Sequence, residues 1–456
     1  MSTSPSKNQS ILSKSLTGRH VQLIALGCAV GTGLYLGTAD SLKLTGPSVL
    51  LGYLVVGFII FLIMRQLGEM VVEEPEAGSF SHFADKYWGA YAGFVAGWNS
   101  WILYILISMA ELAALGKLTQ FWFPNLPTWL TILVCFLTIN AFNLINVKAY
   151  AETEFWMSSI KVVAVIGMIL FGSFLLLSGS GSTQSGIANL WQHEGGFFPG
   201  GLLGFGLSLS PILFAFGGLE LVGVAAAEAK EPKKVIPKAV NQTILILMFF
   251  YIESIFVLLT LFPWNQLIAG GSPFVLVFSK LGNVLAANAL NIIVFSAALS
   301  VYNSCVYASS RMLFSLAEQK NAPQFFAKLN KKGVPFPAVF LTALVTFACV
   351  ILNYLFPDQA FSMLMTLSVS CCLITWAMIS LSHLKFKAAM KKKNITPSFK
   401  AILSPASNYF CILFMIFILF ITAESGQLVA VALIPAWLLF LGALYLYKKK
   451  YNTIKL

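Results

Sequence analysis

Twelve apolar stretches, each about 20 residues long, follow one another along the chain with short polar connections between them. They lie at about 20–41, 47–68, 88–115, 127–146, 154–178, 202–226, 240–263, 285–315, 336–356, 359–384, 405–423 and 427–447. Each is long enough to cross a bilayer. Inside lipid the backbone must satisfy its own hydrogen bonds, so these stretches are expected to be helices. Their uninterrupted apolar character argues against a barrel of alternating strands. The longest polar connections, about 69–87, 179–200, 227–239, 316–335 and 385–404, are too short for a soluble domain. The expected fold is an all-α integral membrane protein with twelve transmembrane helices.

Two stretches carry glycines where a helix should be strongest. The first contains GCAVGTGLYLG, Gly27 to Gly37, and the sixth contains FAFGGLELVG, Phe214 to Gly223. A glycine inside a helix costs about 1 kcal/mol relative to alanine. If spans 1–5 and 6–10 are two repeats, the two interruptions occupy equivalent positions, and the odd number of spans inverts the second repeat. Paired interruptions of this kind point to a binding site at the repeat interface. The chain then divides into a tail 1–18, a first inverted repeat 19–200, a second inverted repeat 201–400, and residues 401–456 with spans 11 and 12.

An interrupted helix leaves orphan N–H groups on one half and orphan C=O groups on the other, with matching partial charges. An amino acid zwitterion complements both. Its carboxylate fits the amides near Gly31, Thr32 and Gly33, its ammonium the carbonyls near Ala29, Phe214, Ala215 and Gly217, with Val30 inside the first break. The same glycines also suit close helix–helix packing: Gly27 and Gly31, like Gly33 and Gly37, form GxxxG pairs. Both readings stay open on the sequence.

Composition agrees with a membrane protein: 58% of residues are hydrophobic, 10% are charged and the mean hydropathy is +0.82. The net charge of +12 changes the picture only through its placement. Of the 29 Lys and Arg residues, 25 fall on one alternate set of connections and three, Lys43, Lys117 and Lys280, on the other; Lys161 lies within a span. This follows the positive-inside rule, places both termini in the cytoplasm and removes nucleic acid as the reason for the charge. Residues 1–18 are polar, without the apolar run of a cleavable signal. The seven cysteines all fall within spans and read as small packing residues, with neither metal-site nor disulfide spacing. No cofactor is expected.

Four ionisable groups lie deep in spans: Glu111, Lys161, Glu220 and Glu253. Each costs about 2.5–3.5 kcal/mol at the bilayer centre, so each requires a reason. Lys161, two turns beyond Glu154, either snorkels to the surface or is a buried amine that carries a proton or replaces a bound cation. Glu220 braces the second break, accepts a proton, or does both. Glu111 is a proton site or a partner of a neighbouring span, and Glu253 faces lipid or a helix contact. The first span has no carboxylate before Asp40, which favours proton over sodium coupling. HExxH and GxSxG motifs, paired aspartates within spans and a histidine cluster are all missing, so hydrolase chemistry is not expected.

Several motifs carry a family resemblance: GCAVGTGLYLG, GPSVLLGY, FLIMRQLGEMVVEEPEAGSFSHFADKYWG, NVKAYAETEFWMSSIKV, GGLELVGVAAAEAKEPKKVIPKAVNQ and ALSVYNSCVYASSRMLFSLAEQKNAP. From Arg19 to about Lys448 the chain resembles the amino acid transporter family of the amino acid–polyamine–organocation superfamily. The second-loop and eighth-span motifs look most like bacterial general aromatic amino acid permeases. The resemblance implies a leucine-transporter-like fold and proton-coupled import of phenylalanine, tyrosine and tryptophan across the inner membrane by alternating access. It implies substrate-backbone contacts at Ala29–Gly33 and Phe214–Gly217, with Phe214, Tyr104 and Tyr302 as candidates to line a side-chain pocket. It puts Lys161 at the position of a fifth-helix lysine implicated in proton coupling, and Glu111 at that of a third-helix carboxylate. Cys28, Ser100 and Glu253 depart from the family pattern. The implied partners are substrate, proton and lipid, with no obligatory protein partner. The alternatives are a permease for a D-amino acid, glycine or a basic amino acid, and a transporter-like sensor, for which the short termini offer little.

Overall fold

Apolar sequence and helix coincide along the chain. The computed structural model describes residues 18–75, 79–144, 147–179, 185–226, 229–268, 272–280, 282, 284–331, 333–424 and 428–454. Most of the expected tail 1–18 lies outside the described residues. The helices are α1 (Gly18–Ala29), α2 (Thr32–Tyr35), α3 (Gly37–Thr45), α4 (Val49–Glu73), α5 (Phe80–Tyr87), α6 (Ala90–Thr119), α7 (Thr128–Asn143), α8 (Val147–Leu177) and α9 (Gly201–Ala215). They continue with α10 (Leu221–Ala226), α11 (Pro232–Leu261), α12 (Pro273–Lys280), α13 (Val284–Glu318), α14 (Phe336–Thr346), α15 (Ala348–Leu355), α16 (Ala360–Lys392), α17 (Ala406–Glu424) and α18 (Leu428–Ile454).

Among the described residues, nine helical stretches are long and apolar enough to cross a membrane, and three apolar helices are shorter: Leu26–Tyr35, Thr128–Asn143 and Gly201–Ala215. The short ones fall in expected spans one, four and six. Spans one and six are short because they are broken: α1 stops at Ala29 and resumes as α2 at Thr32, while α9 stops at Ala215 and resumes as α10 at Leu221. Span four, expected over 127–146, is a 16-residue helix, about 24 Å long at ~1.5 Å per residue.

Two differences concern the connections. The polar region 69–87 is mostly helix, because α4 runs on to Glu73 and α5 follows from Phe80. Glu69, Glu73, Glu74 and Lys86 within it are tied to partners. The segment after span seven also contains α12, which packs on α13.

Helix α6 lies at the centre and packs on α13, α16, α7 and α5. It is 78% buried over its most apolar window, against 6% for the corresponding window of α18, so α6 is interior and α18 is at the edge. Asn99, inside on α6, is bonded across helices: it donates to the Cys371 carbonyl and to Thr375 Oγ1 on α16, each at 2.9 Å. The broken spans lie against this centre. α1 packs on α8, α10, α11 and α13, and both α2 and α3 pack on α9.

Candidate functional site

The first break is built around Gly31. The backbone there is extended (φ −130°, ψ −156°) before α2 begins at Thr32. A Cβ on Gly31 would stand 2.8 Å from both Glu111 Oε1 and Val301 Cγ2, so a side chain here would have to displace one or both of them. Glu111, 2% exposed on α6, accepts a hydrogen bond from the Thr32 N–H at 3.3 Å. A carboxylate thus sits at the first amide of α2, where the helix end is electropositive. Val30, between the two helices, is buried.

At the second break, residues 216–220 form a turn in which Gly218 has φ +94°, a conformation that favours glycine. A Cβ on Gly218 would lie 2.5 Å from Cys28 Sγ in α1. The two breaks therefore touch. They also share one group: the Tyr251 hydroxyl on α11 is 2.8 Å from the Ala29 carbonyl and 2.8 Å from the Ala215 carbonyl. Gly33 lies against α9, where a Cβ would stand 2.5 Å from Ala215 Cα. It serves the contact between the broken spans, whereas Gly31 serves the approach to Glu111.

One face of α6 supplies further polar groups. Tyr104, Ser108 and Glu111 recur at helical spacing on that face. The Tyr104 hydroxyl, Ser108 Oγ and Glu111 Oε2 are buried without a hydrogen-bond partner within the protein, as are Thr32 Oγ1 and Glu220 Oε1 beside the two breaks. Buried polar atoms are ordinarily paired, so these five are free to meet water or a polar guest. Glu220 is held on its other oxygen by the Trp376 indole N–H at 3.4 Å.

Lys161 is fully buried, and its ammonium donates to the Gly27 carbonyl at the end of α1. Its amine is thus directed at the first broken span, and the snorkelling alternative does not describe it. Beside it, Glu154 accepts bonds from Ser158 at 3.0 Å and Ser300 at 2.6 Å. Phe214 packs edge-on against Phe361 at a centroid distance of 6.4 Å, and Gly217 lies near Cys372 and Ile107. Phe361 also lines a cavity of about 440 Å³ whose wall includes Leu36, Asp40, Lys43, Lys117 and Asp358.

The remaining sequence candidates lie elsewhere. The Tyr302 hydroxyl is engaged by Asn140 Nδ2 of α7 at 2.6 Å. Ser100 bonds the Ala96 carbonyl of its own helix at 2.7 Å, and Glu253 is half-buried on α11. Tyr251 and Ser108 were missed by sequence reasoning. Only the position of Tyr251 opposite two interruptions could have marked it, and that position is not written in its own apolar neighbourhood.

Comparison with known proteins finds relatives along nearly the whole chain. Residues 20–447 match the sequence model of the amino acid permease family. The aromatic amino acid transport protein AroP of Escherichia coli K12 is 55% identical over 440 residues, covering 96% of each chain. AroP of Salmonella typhimurium LT2 is 54% identical over 440 residues, again 96% of each. The uncharacterized amino acid permease YtnA of Bacillus subtilis 168 is 41% identical over 445 residues and 96% of each. A match over nearly the whole chain, together with relatives this similar, establishes that the chain belongs to the amino acid permease family of the amino acid–polyamine–organocation superfamily, and is a multi-pass membrane transport protein rather than an enzyme.

Proposed function

We propose that the chain imports aromatic amino acids, phenylalanine, tyrosine and tryptophan, across the inner membrane in symport with protons. The observation that carries this reading is the meeting of the two breaks: a single hydroxyl lies 2.8 Å from a carbonyl of each. Opposed half-helix ends at one point suit a zwitterion, whose two charges match the two kinds of end. The aromatic side chain is supported by the names of the AroP relatives and by the rings of Tyr104 and Phe214 near the breaks.

Twelve spans in two inverted repeats, 19–200 and 201–400, fit the helix pairings. Numbering the spans in order, α1 on α8 is one–five and α9 on α16 is six–ten; α6 on α16 is three–ten and α13 on α8 is eight–five. Exchanging the repeats converts each pair into the other. The positive-inside distribution supports cytoplasmic termini. Lys161 and Glu111, buried next to the first break, are the proposed proton-coupling groups, with Glu220 at the second. Alternating access follows if the two gates open in turn, with proton and substrate binding differing between the two states.

The test is uptake of labelled phenylalanine by proteoliposomes with and without an inward proton gradient, followed by competition with the other amino acids. Accumulation that needs the gradient and is competed by tyrosine and tryptophan is expected. A lack of gradient-dependent accumulation for every amino acid would overturn the reading, and competition by glycine, D- or basic amino acids alone would reassign the substrate.

A further inference from the structure

Both polar ends of the interrupted spans are occupied by side chains of the protein itself. Glu111 holds the Thr32 amide, and the Tyr251 hydroxyl lies against the carbonyls of Ala29 and Ala215. We propose that Glu111 and Tyr251 stand in for the two ionic groups of the substrate, and that binding is an exchange: the substrate carboxylate replaces Glu111 at Thr32, and the ammonium replaces the Tyr251 hydroxyl at the two carbonyls. The proposal rests on the reading of this site as an amino acid cradle.

The Glu111 end is poised to be given up. Its bond to Thr32 is 3.3 Å, longer than the usual range for N–H···O. Its second oxygen is buried without a partner. A displaced Glu111 has donors on its own helix face, since the hydroxyls of Ser108 and Tyr104 are unpartnered in the same way. The Thr32 amide has a single hydrogen to donate, so the incoming carboxylate and Glu111 exclude one another there.

The Tyr251 end is under-supplied. A phenol has one hydrogen to donate, and two carbonyls compete for it at equal distances of 2.8 Å. An ammonium has three donors and satisfies both at once. The ring is fixed by edge contacts with Phe216 at 5.1 Å and Tyr53 at 5.5 Å, so only the hydroxyl bonds need change.

The exchange separates the two ends of the ligand. Binding of phenylalanine, 3-phenylpropionate (no ammonium) and 2-phenylethylamine (no carboxylate) to purified full-length protein reads it. Glu111→Gln, whose uncharged amide competes less well for Thr32, is expected to tighten phenylalanine and 3-phenylpropionate by about tenfold and to leave 2-phenylethylamine without that gain. Tyr251→Phe is expected to tighten phenylalanine and 2-phenylethylamine and to leave 3-phenylpropionate without that gain. Weaker or unchanged phenylalanine binding in Glu111→Gln, or equal changes for all three ligands, overturns the exchange. Should either variant fail to fold, the infrared difference spectrum of wild-type protein labelled with carboxyl-13C glutamate, on adding phenylalanine, takes its place. A shifted glutamate carboxyl band is expected, and an unshifted one overturns the exchange. Wild-type protein that binds no amino acid at all defeats the cradle reading itself.

Discussion

Lys161 points its ammonium at the Gly27 carbonyl, within the last turn of α1 before the first break. This contact links α8 to the end of α1. Lys161→Ala is expected to abolish gradient-driven accumulation while weakening phenylalanine binding far less, as measured by uptake and by equilibrium binding on the same preparation; equal loss of both would make the lysine purely structural. Gly33→Leu acts differently. A side chain there meets the backbone of Ala215, and overpacking of this kind costs about 1–3 kcal/mol. The variant should reach the membrane, melt at a lower temperature in detergent and bind no substrate; normal uptake would exclude a role for this contact. At the residue scale, Gly31, Lys161 and Glu111 were legible because a glycine or a charge is conspicuous in an apolar run. Tyr251 and Ser108 were not, since an aromatic or a small hydroxyl in a span is unremarkable until a partner from another helix arrives. Tyr302 stood out for its ring alone, and its hydroxyl is taken by Asn140 of α7.

Among the elements, α4 and α16 are joined by a cluster around Glu69. Its carboxylate receives His383 at 3.0 Å, Lys387 at 3.0 Å and the Ala401 N–H at 2.6 Å, and the other nitrogen of His383 faces Asn408 Nδ2 at 3.0 Å. Three segments far apart in sequence thus depend on one side chain. Glu69→Ala is expected to cost about 3–5 kcal/mol, read as a lower melting temperature, because it leaves buried partners unsatisfied. A second tie, just beyond the end of α4, is open to pH. Burial pushes the Glu74 carboxyl up, but bonds from Lys86 and Tyr87, both at 2.7 Å, bring it below the ordinary value. A depressed carboxyl contributes stability above its unfolded value and loses it as pH falls through the folded one. Glu74→Gln should therefore melt below wild type at neutral pH, and the difference should begin to shrink near the ordinary glutamate value of about 4.3 and vanish only once the pH is below the depressed folded value; a constant difference would refute the ion pair's contribution. The sequence marked the breaks in spans one and six correctly as elements, since glycine clusters interrupt helices directly. It read 69–87 as a polar connection because the partners that extend and anchor α4 lie more than 300 residues away.

For the molecule as a whole, lipid acts as the solvent, and this is why so much of the architecture was legible: each apolar run must become a helix. Which helix lies at the centre was not legible. The windows of α6 and α18 are nearly equal in hydropathy, yet one is 78% buried and the other 6%, because lipid and protein interior are both apolar. Orientation is a different matter, since 25 of the 29 basic residues lie on one set of connections. Cysteines introduced as Ser6→Cys and Asn452→Cys should react with a membrane-impermeant thiol reagent only after the cytoplasmic face is opened; labelling in intact cells would reverse the topology.

Where α2 meets α9, the two helices touch through Gly33 and the main chain of Ala215. No knob sits in a hole at that point, so relative sliding need not lift a side chain over a ridge. The joint is close-fitting and free of interlocking side chains, so a single methyl group added at position 33 would wedge spans one and six apart.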